Sequence, residues 1–260
     1  MEKLKVYQDC IVVENPIDKK PMIWIDNEFS KNNWPNPAHQ EKQKEFSLKY
    51  ILAKGKGVLD IGAHLGDFGI SLAIALRNCN RTDIKIYCIE PTYEKCIFMN
   101  QLCKVNNLGD SIKIINVGIS DKDGIYSVSA KEKNKWGSNT GGWQWTPSEN
   151  GIKFTTLDNL WKQGIIGEIG FFWLDAQWME KEVLLGGREL LTHCKPYILM
   201  EYWSYNGYED DNITVNCNTI KPGTLEELEN DNDFKEVFNE LNIKILDESS
   251  EIDDFLLIME

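Results

Sequence analysis

The sequence lacks any run of about 18 apolar residues, so it predicts no membrane-spanning helix. Its first residues, Met1–Lys5, lead into no apolar segment, so we expect no secretory signal and a cytoplasmic location. None of its seven cysteines belongs to a C-x-x-C pair, and scattered cysteines in odd number are typical of buried thiols in a reducing compartment. The cysteines therefore predict neither a disulfide framework nor a metal site.

Positive charge is also scarce. Lysine and arginine number 28 against 41 acidic residues, which gives a formal net charge of −13. A chain of this charge repels a polyanion, so nucleic acid is an unfavoured partner. A neutral or cationic small molecule suits the charge better, and the sequence indicates no particular oligomeric state.

What the sequence does contain is an alternation of strand and helix patterns. We interpret residues 1–45 as an N-terminal extension and residues 46–260 as one domain. After the extension, apolar runs predict strands at Val58–Ile61, Ile84–Ile89, Ile112–Val117, Phe171–Leu174, Tyr197–Met200, Ile243–Leu246 and Phe255–Met259. Helical spacing of apolar residues predicts helices over about 38–53, Asp67–Arg77, Tyr93–Val105 and Met179–Leu191. Such alternation implies a doubly wound, mostly parallel α/β sheet, with the last two strands paired as an antiparallel hairpin.

The strongest motif is V-L-D-I-G-A-H-L-G-D at residues 58–67, where a predicted strand turns into a helix. Gly62 permits a tight turn, Gly66 lets the helix begin close to a ligand, and amides at a helix start can hold an anion. A dinucleotide fingerprint would need glycine where His64 and Asp67 stand, which disfavours NAD and FAD. S-adenosylmethionine fits better, because its carboxylate suits the amides and Asp60 can serve its ammonium. The alternative is a glycine turn that binds no ligand.

A second acidic residue supports a binding site for S-adenosylmethionine at this turn. Glu90 stands at the carboxyl end of the second predicted strand, and Pro91 fixes the chain just after it. In nucleotide-type sites an acid at this place binds the ribose hydroxyls. A glutamate at the end of a strand is often only a solvated side chain. The position of Glu90 relative to the glycine turn nevertheless favours a cofactor site.

Four segments together resemble the FkbM family of class I methyltransferases, over roughly residues 45–260. They are Val58–Gly66, Ile89–Pro91, Asn116–Gly124 and Phe171–Gly187, which match family motifs of the form D-x-G-A-N-x-G, E-P, N-x-A-x-S-D-x-x-G and K-x-D-V-E-G-x-E-x-x-V-L-x-G. The resemblance implies a Rossmann-like, mostly parallel seven-stranded sheet closed by the C-terminal hairpin, and S-adenosylmethionine as cofactor. It implies that the cofactor contacts lie at Asp60, Gly62, Ala63, His64, Gly66, Glu90, Pro91, Gly118, Ser120 and Asp175.

The chain departs from these motifs at several positions, of which four change the chemistry or bulk of the side chain most. His64 replaces the family's Asn, Trp173 its Lys, Gln177 its Glu and Trp178 its Gly, whereas Asp175 is retained. Gln177 cannot act as a base, so a catalytic role of the family's Glu does not carry over to it. The bulk of Trp178 indicates a different acceptor or a loss of activity.

Acidic residues at the carboxyl ends of the strands are the candidates for chemistry. Asp175 is our first candidate for the base or orienting group of an acceptor hydroxyl, with Glu201 and His64 after it. The alternative for Asp175 is a helix N-cap. Asp175 and Glu201 could share Mg²⁺, but two ligands are too few to predict a metal. Candidate acceptor contacts are Trp143, Trp145 and Trp178, because flat aromatic faces suit sugar rings, together with Gln177 from the fourth motif.

We therefore predict an S-adenosylmethionine-dependent O-methyltransferase that acts on a hydroxyl of a carbohydrate, glycan or related small molecule. Two alternatives stay open. One is a methyltransferase of nucleic acid or protein, and the other is a non-catalytic binding module that retains the fold.

Overall fold

The computed structural model describes residues 9–33, 37–128, 145–202, 223–246 and 254–260. In chain order the strands are β1 (Cys10–Glu14), β2 (Pro21–Ile25), β3 (Gly57–Ile61), β4 (Ile86–Ile89), β5 (Ile112–Ile115), β6 (Gly118–Ile119), β7 (Gly124–Ser127), β8 (Thr146–Pro147), β9 (Ile152–Thr155), β10 (Ile169–Leu174), β11 (Tyr197–Met200), β12 (Ile243–Ile245) and β13 (Phe255–Met259). The helices are α1 (Glu28–Asn32), α2 (Glu41–Lys54), α3 (Asp67–Asn78), α4 (Tyr93–Val105), α5 (Leu157–Lys162), α6 (Glu180–Gly186), α7 (Arg188–Cys194), α8 (Leu225–Asn230) and α9 (Asn232–Leu241). Within these residues no helix is both long and apolar enough to cross a membrane.

Seven strands form the central sheet in the order β12-β13-β11-β10-β3-β4-β5. Five adjacent strands of this sheet are parallel to one another: β11, β10, β3, β4 and β5. Strand β13 is antiparallel to β11 and to β12. The chain enters the sheet centrally at β3, moves out to β5, and returns through β10 to the other side. The predicted α/β class, with a mostly parallel Rossmann-like sheet, is confirmed.

The sheet is buried on both faces because its strands are apolar at nearly every position. Val58 and Phe171 belong to the core cluster that also contains side chains of α3 and α4. Their neighbours Leu59 and Phe172 point the other way, into the cluster formed with α5, α6, α7 and α9. Each fully buried Phe of β10 contributes about 1.5–3 kcal/mol of hydrophobic free energy. This two-sided burial fixes the register of β3 and β10, and so fixes where their carboxyl ends lie.

Two smaller sheets flank the central one. Strands β1 and β2 form a hairpin whose Met22 and Trp24 enter the core cluster, with the Trp24 ring 5.8 Å from that of Phe98 on α4. Strands β6 to β9 form a four-stranded sheet between β5 and α5, which the sequence did not predict. The proposed boundary between residues 45 and 46 falls within α2, and the division into extension and domain stays a prediction.

Helix boundaries follow local chemistry. The prediction for α4 matches its bounds, whereas α2 begins at Glu41 because Gln40 adopts a left-handed conformation with φ +50°. The single helix predicted over Met179–Leu191 was wrong, because Gly187 ends α6 and precedes α7. A side chain at the adjacent Gly186 would lie 2.1 Å from a backbone oxygen, so this glycine pair lets the helices approach the β6 segment closely.

Candidate active site

The turn between β3 and α3 contains two glycines in conformations that disfavour other residues. Gly62 has φ +82° and Gly66 has φ +79°, a region that only glycine adopts without penalty. A Cβ atom on Gly62 would lie 1.8 Å from the backbone oxygen of Asp175, and one on Gly66 would lie 2.9 Å from Met99. His64, between them, has φ +51°. The turn therefore packs directly against the loop that follows β10.

Some backbone amides of this turn donate hydrogen bonds within the protein, and others are available to a ligand. The N–H groups of Gly62 and Ala63 donate to the Ile89 oxygen at 3.1 and 3.0 Å, which fixes the turn beside the end of β4. Within the described part of the chain, the amides of Asp67 and Phe68 at the start of α3 have no hydrogen-bond acceptor. Such a helix start favours a bound anion.

Asp60 lies beneath the turn. Its side chain accepts a hydrogen bond from the Gly69 amide at 3.0 Å and contacts the Cys88 thiol at 3.5 Å. The residue is only 2% exposed, and burial raises the pKa of its carboxyl group to about 8. Asp60 therefore fastens the first turn of α3 to β3, and its service to a ligand ammonium stays a prediction.

Glu90 and Pro91 line the same edge. The Glu90 carboxylate accepts hydrogen bonds from the amides of His64 at 3.0 Å and Thr92 at 2.8 Å. The side-chain amide of Asn116, after β5, donates to the backbone oxygens of Glu90 and Pro91 at 3.0 and 2.9 Å. Glu90 is buried and its carboxylate is held by these bonds, and its predicted contact with ribose hydroxyls stays a prediction.

The third motif follows β5 and enters the small sheet. A Cβ atom on Gly118 would lie 2.3 Å from the Phe154 ring. Ser120 has no exposed surface, and its hydroxyl lies 2.9 Å from the Tyr126 hydroxyl and donates to Asp121. Both residues serve the packing of β6, and their predicted proximity to an adenine stays a prediction.

Three polar side chains meet where β10 and β11 end. The Gln177 amide donates to Asp175 at 2.6 Å and to Glu201 at 3.1 Å, and the Asp175 and Glu201 carboxyl groups also hydrogen-bond to each other. Burial is the main cause of a raised pKa at Asp175. The backbone amides of both acids bond to neighbouring strands, Asp175 to Ile61 and Glu201 to Leu174, so the strands fix their spacing.

The interpretation of Asp175 as a helix N-cap was wrong. Helix α6 begins at Glu180, with Met179 as its N-cap and no capping side chain. The Asp175 carboxylate accepts its hydrogen bond from Gln177 instead, and so faces the carboxyl edge of the sheet.

The candidate catalytic residue His64 has an enclosed ring. Both ring nitrogens are inaccessible to solvent and lack a hydrogen-bond partner among the described residues. Burial, and the neighbouring Lys95, lower its pKa well below the usual value, so the imidazole is neutral. Its role in catalysis stays a prediction.

The structure adds three residues that the sequence did not indicate. Lys44 on α2 has no exposed surface, and its ammonium lies 2.6 Å from Asp67 and 3.0 Å from the Pro37 oxygen. His39 lies near this ion pair and Asp175, and burial lowers its pKa. Lys95, in the first turn of α4, is 2% exposed.

Burial also lowers the pKa of Lys95, although Glu90 and Asp175 oppose this shift. The signal for Lys44 was its helical spacing: it lies on the same buried face of α2 as Ser47 and Ile51.

The model of the methyltransferase FkbM domain matches residues 60–250. This chain belongs to the FkbM methyltransferase family. It is 27% identical over 146 residues to the 2-O-methyltransferase NoeI of Sinorhizobium fredii, a match that spans 50% of this chain and 58% of the relative. The chain thus spans somewhat more than half the length of the curated relative that it matches.

Two solved structures are also similar to this FkbM family member. One is the methyltransferase FkbM of Methylobacillus flagellatus KT, with 14% identity, 79% of this chain and 44% of that chain covered, and a TM-score of 0.46. The other is the Podospora anserina methyltransferase PaMTH1, with 11% identity, 99% and 93% covered, and a TM-score of 0.48. His39 and Lys44 lie outside the range matched by the family model.

The departures from the FkbM motifs have visible structural consequences. Trp173 is buried on β10, and its ring stacks on that of Phe68 with 4.1 Å between the ring centroids. Trp173 therefore belongs to the hydrophobic core and does not line the candidate site. Gln177 and Trp178 have φ +49° and +74°, values that cost a non-glycine residue on the order of 1–3 kcal/mol. A glycine at position 178 would avoid this penalty.

The candidate acceptor contacts divide into two groups. Gln177 and Trp178 belong to the loop after β10, beside Asp175. Trp145 packs against Phe154 at 5.4 Å, in the small apolar cluster that contains Met179. Trp143 lies outside the described residues.

Proposed function

We propose that this protein is an S-adenosylmethionine-dependent O-methyltransferase whose acceptor is a hydroxyl of a carbohydrate or related small molecule. The observation that carries the proposal is the cluster of Asp175, Gln177 and Glu201 directly beside the glycine turn. A carboxylate able to accept a hydroxyl proton thus lies at the same edge of the sheet as a turn suited to the donor. We expect this activity in the cytoplasm.

The residues present fit S-adenosylmethionine. The Asp67 and Phe68 amides suit its carboxylate, and Lys44 neutralises the Asp67 side chain that would otherwise repel it. Glu90 is oriented to accept hydrogen bonds from the ribose hydroxyls. When bound, the cofactor supplies a methyl group on a cationic sulfur, which leaves as a neutral thioether. A divalent cation forms no part of the proposal.

Asp175 takes the proton in this proposal. As the acceptor oxygen forms its bond to the methyl carbon, the hydroxyl proton passes to the Asp175 carboxylate. The Gln177 amide holds that carboxylate in place, and hydrogen bonding between the Asp175 and Glu201 carboxyl groups lets them share a proton. His64 is less suited to this step, because its ring nitrogens are enclosed.

Support for a carbohydrate acceptor is narrower. The relative NoeI is a 2-O-methyltransferase, and the loop beside Asp175 carries the broad aromatic side chain of Trp178. Aromatic faces bind the apolar faces of sugar rings. The net charge of −13 argues against RNA as the acceptor.

Two measurements test the proposal. Calorimetry with S-adenosylhomocysteine should detect donor-site binding that a Glu90→Ala variant weakens, and NAD should not bind. Labelled S-adenosylmethionine should then transfer its methyl group to a glycan or small hydroxyl compound. Labelling only of protein or RNA would contradict the acceptor class, and donor binding without turnover on any acceptor would favour the non-catalytic alternative.

The Asp175→Asn variant separates chemistry from binding. It should still bind S-adenosylhomocysteine, while turnover falls about 10²–10⁴-fold because the proton acceptor is lost. The exposed Asp110→Asn variant is the matched control and should keep full activity. Unchanged turnover in Asp175→Asn would refute the assigned role.

A further inference from the structure

A second cluster of reactive side chains lies at the opposite edge of the central sheet. Glu168 immediately precedes β10, and His193 and Cys194 end α7. The His193 Nε2 atom lies 2.9 Å from Glu168 Oε1, and the Cys194 Sγ atom lies 3.9 Å from Glu168 Oε2. One ligating atom from each residue falls within 4.8 Å of the other two. Strand β10 separates this cluster from Asp175 by about 20 Å.

The three donors are those that zinc prefers. Thiolate, imidazole and carboxylate bind Zn²⁺ at about 2.3, 2.0–2.1 and 2.0–2.2 Å. Tetrahedral geometry at those lengths separates neighbouring donor atoms by roughly 3.3–3.6 Å. The observed separations of 2.9 and 3.9 Å bracket this range, and the ligating atoms of His193 and Cys194 lie within 4.8 Å of each other. The exposed Glu168 and His193 side chains can rotate to adjust these distances.

The surroundings are also those of a metal site. The Ile169 amide donates to the Cys194 sulfur at 3.5 Å and so orients the sulfur, while burial raises the pKa of the free thiol. The Trp161 ring lies 4.9 Å from the His193 ring and restricts its orientation. Both contacts restrict the ligating side chains, as the partners around a metal site do. Cys194 is buried while His193 and Glu168 are about half exposed, which leaves a fourth position open to water.

An ion pair is the competing explanation for part of the cluster. The Lys56 ammonium lies 3.2 Å from Glu168 Oε2, and together with His193 it lowers the pKa of that carboxyl group. These charge interactions explain why Lys56 and His193 lie beside the Glu168 carboxylate. They do not explain why the Cys194 thiol points at the same carboxylate. Lys56 is 42% exposed at its side chain and can turn into solvent when a cation binds.

We propose that Glu168, His193 and Cys194 form a binding site for a zinc-type divalent transition metal, with water as the fourth ligand. Binding releases the Cys194 thiol proton and forms a metal–thiolate bond, with no change of oxidation state. The metal joins the start of β10 to the end of α7. The site is independent of the methyl-transfer proposal.

Cobalt titration of the metal-free, untagged full-length protein tests the site. Co²⁺ at one equivalent should produce a thiolate-to-cobalt charge-transfer band together with tetrahedral visible bands, and Zn²⁺ should displace both. The Cys194→Ser variant should lose the charge-transfer band. The Cys79→Ser variant, which removes an exposed thiol elsewhere, should keep it. Absence of the band, or its survival in Cys194→Ser, would overturn the proposal.

A second variant covers the case in which Cys194→Ser fails to fold. His193 is exposed, so His193→Gln should fold normally and bind Co²⁺ at least about tenfold more weakly. Zn²⁺ should raise the Tm of the unmodified protein and of Cys79→Ser, but not that of His193→Gln. Equal cobalt affinity in His193→Gln would refute the site.

Discussion

The buried Asp60 should make the protein less stable as pH rises, and Asp60→Asn should remove that effect. The pKa of this carboxyl group is about 8 in the folded protein, against 3.8 when exposed. Between these values the folded state holds a proton that the unfolded state has released. Stability therefore falls with increasing pH, by about 1.4 kcal/mol per pH unit for one proton.

The magnitude is large enough to measure. From pH 5 to pH 7 the contribution of Asp60 amounts to about 2.7 kcal/mol, a substantial part of an ordinary domain's stability. Asn at this position keeps an oxygen to accept the Gly69 hydrogen bond and cannot ionise. Burial raises the pKa of Glu180 to about 8 as well, so this second acid adds the same sign of dependence in both proteins.

Urea unfolding at pH 5, 6 and 7 provides the assay. The free energy of unfolding of Asp60→Asn should decline less steeply with pH than that of the unmodified protein, by about 1.4 kcal/mol per unit. Asp110→Asn, at an exposed position, should reproduce the unmodified slope. Parallel slopes for Asp60→Asn and the unmodified protein would show that Asp60 is ionised in the fold, and would refute the reasoning.

Three further changes test the geometry by urea unfolding. Gly62→Ala should cost several kcal/mol, because its Cβ would lie 1.8 Å from a backbone oxygen; Gly164→Ala, at φ +67° with open space around it, should cost only about 1–2 kcal/mol. Trp178→Gly should be about 0.5–1 kcal/mol more stable than Trp178→Ala, since both lose the indole and only Ala keeps the left-handed penalty. Lys44→Met should cost about 3–5 kcal/mol by isolating the Asp67 carboxylate, and adding Asp67→Asn should recover part of it; a simple sum of the two effects would contradict the pairing.

Most of the central sheet could be predicted because its strands are continuous apolar runs. The bounds of α4 and the strand end at Ile61 follow directly from hydrophobic spacing and glycine. The four-stranded sheet of β6 to β9 was missed for the opposite reason. Two of its strands, Gly118–Ile119 and Thr146–Pro147, contain only two residues, which is too few for any periodicity to appear.

In the candidate active site, the sequence predicts which residues lie together only where the order of the strands brings them together. Glu90, Asp175 and Glu201 all end parallel strands, so the sheet brings them to one edge. Lys44 and Lys95 lie on helices, where a lysine ordinarily faces solvent. Their burial depends on how α2 and α4 pack over that edge, and a single sequence carries no measure of that packing.

The same limit applies at the other edge of the sheet. Glu168 and His193 are 25 residues apart in sequence, so no short metal-binding motif joins them. The scattered cysteines therefore suggested only buried thiols, and the structure is needed to bring Cys194 beside the other two donors.

The departures from the family motifs fall unevenly across the candidate site. Gly62, Gly66 and Glu90, which would hold the donor, retain the family pattern and the contacts that it requires. Gln177 and Trp178 depart from it in consecutive left-handed conformations beside Asp175. Such a backbone persists only where its surroundings overdetermine it, and penalties of this kind are concentrated at functional sites. Gln177 and Trp178 thus alter the acceptor side of the proposed site, whereas Gly62, Gly66 and Glu90 are retained on the donor side. His64 is a departure on that side as well, so the contrast between the two sides applies to these contacts and not to every residue of the glycine turn.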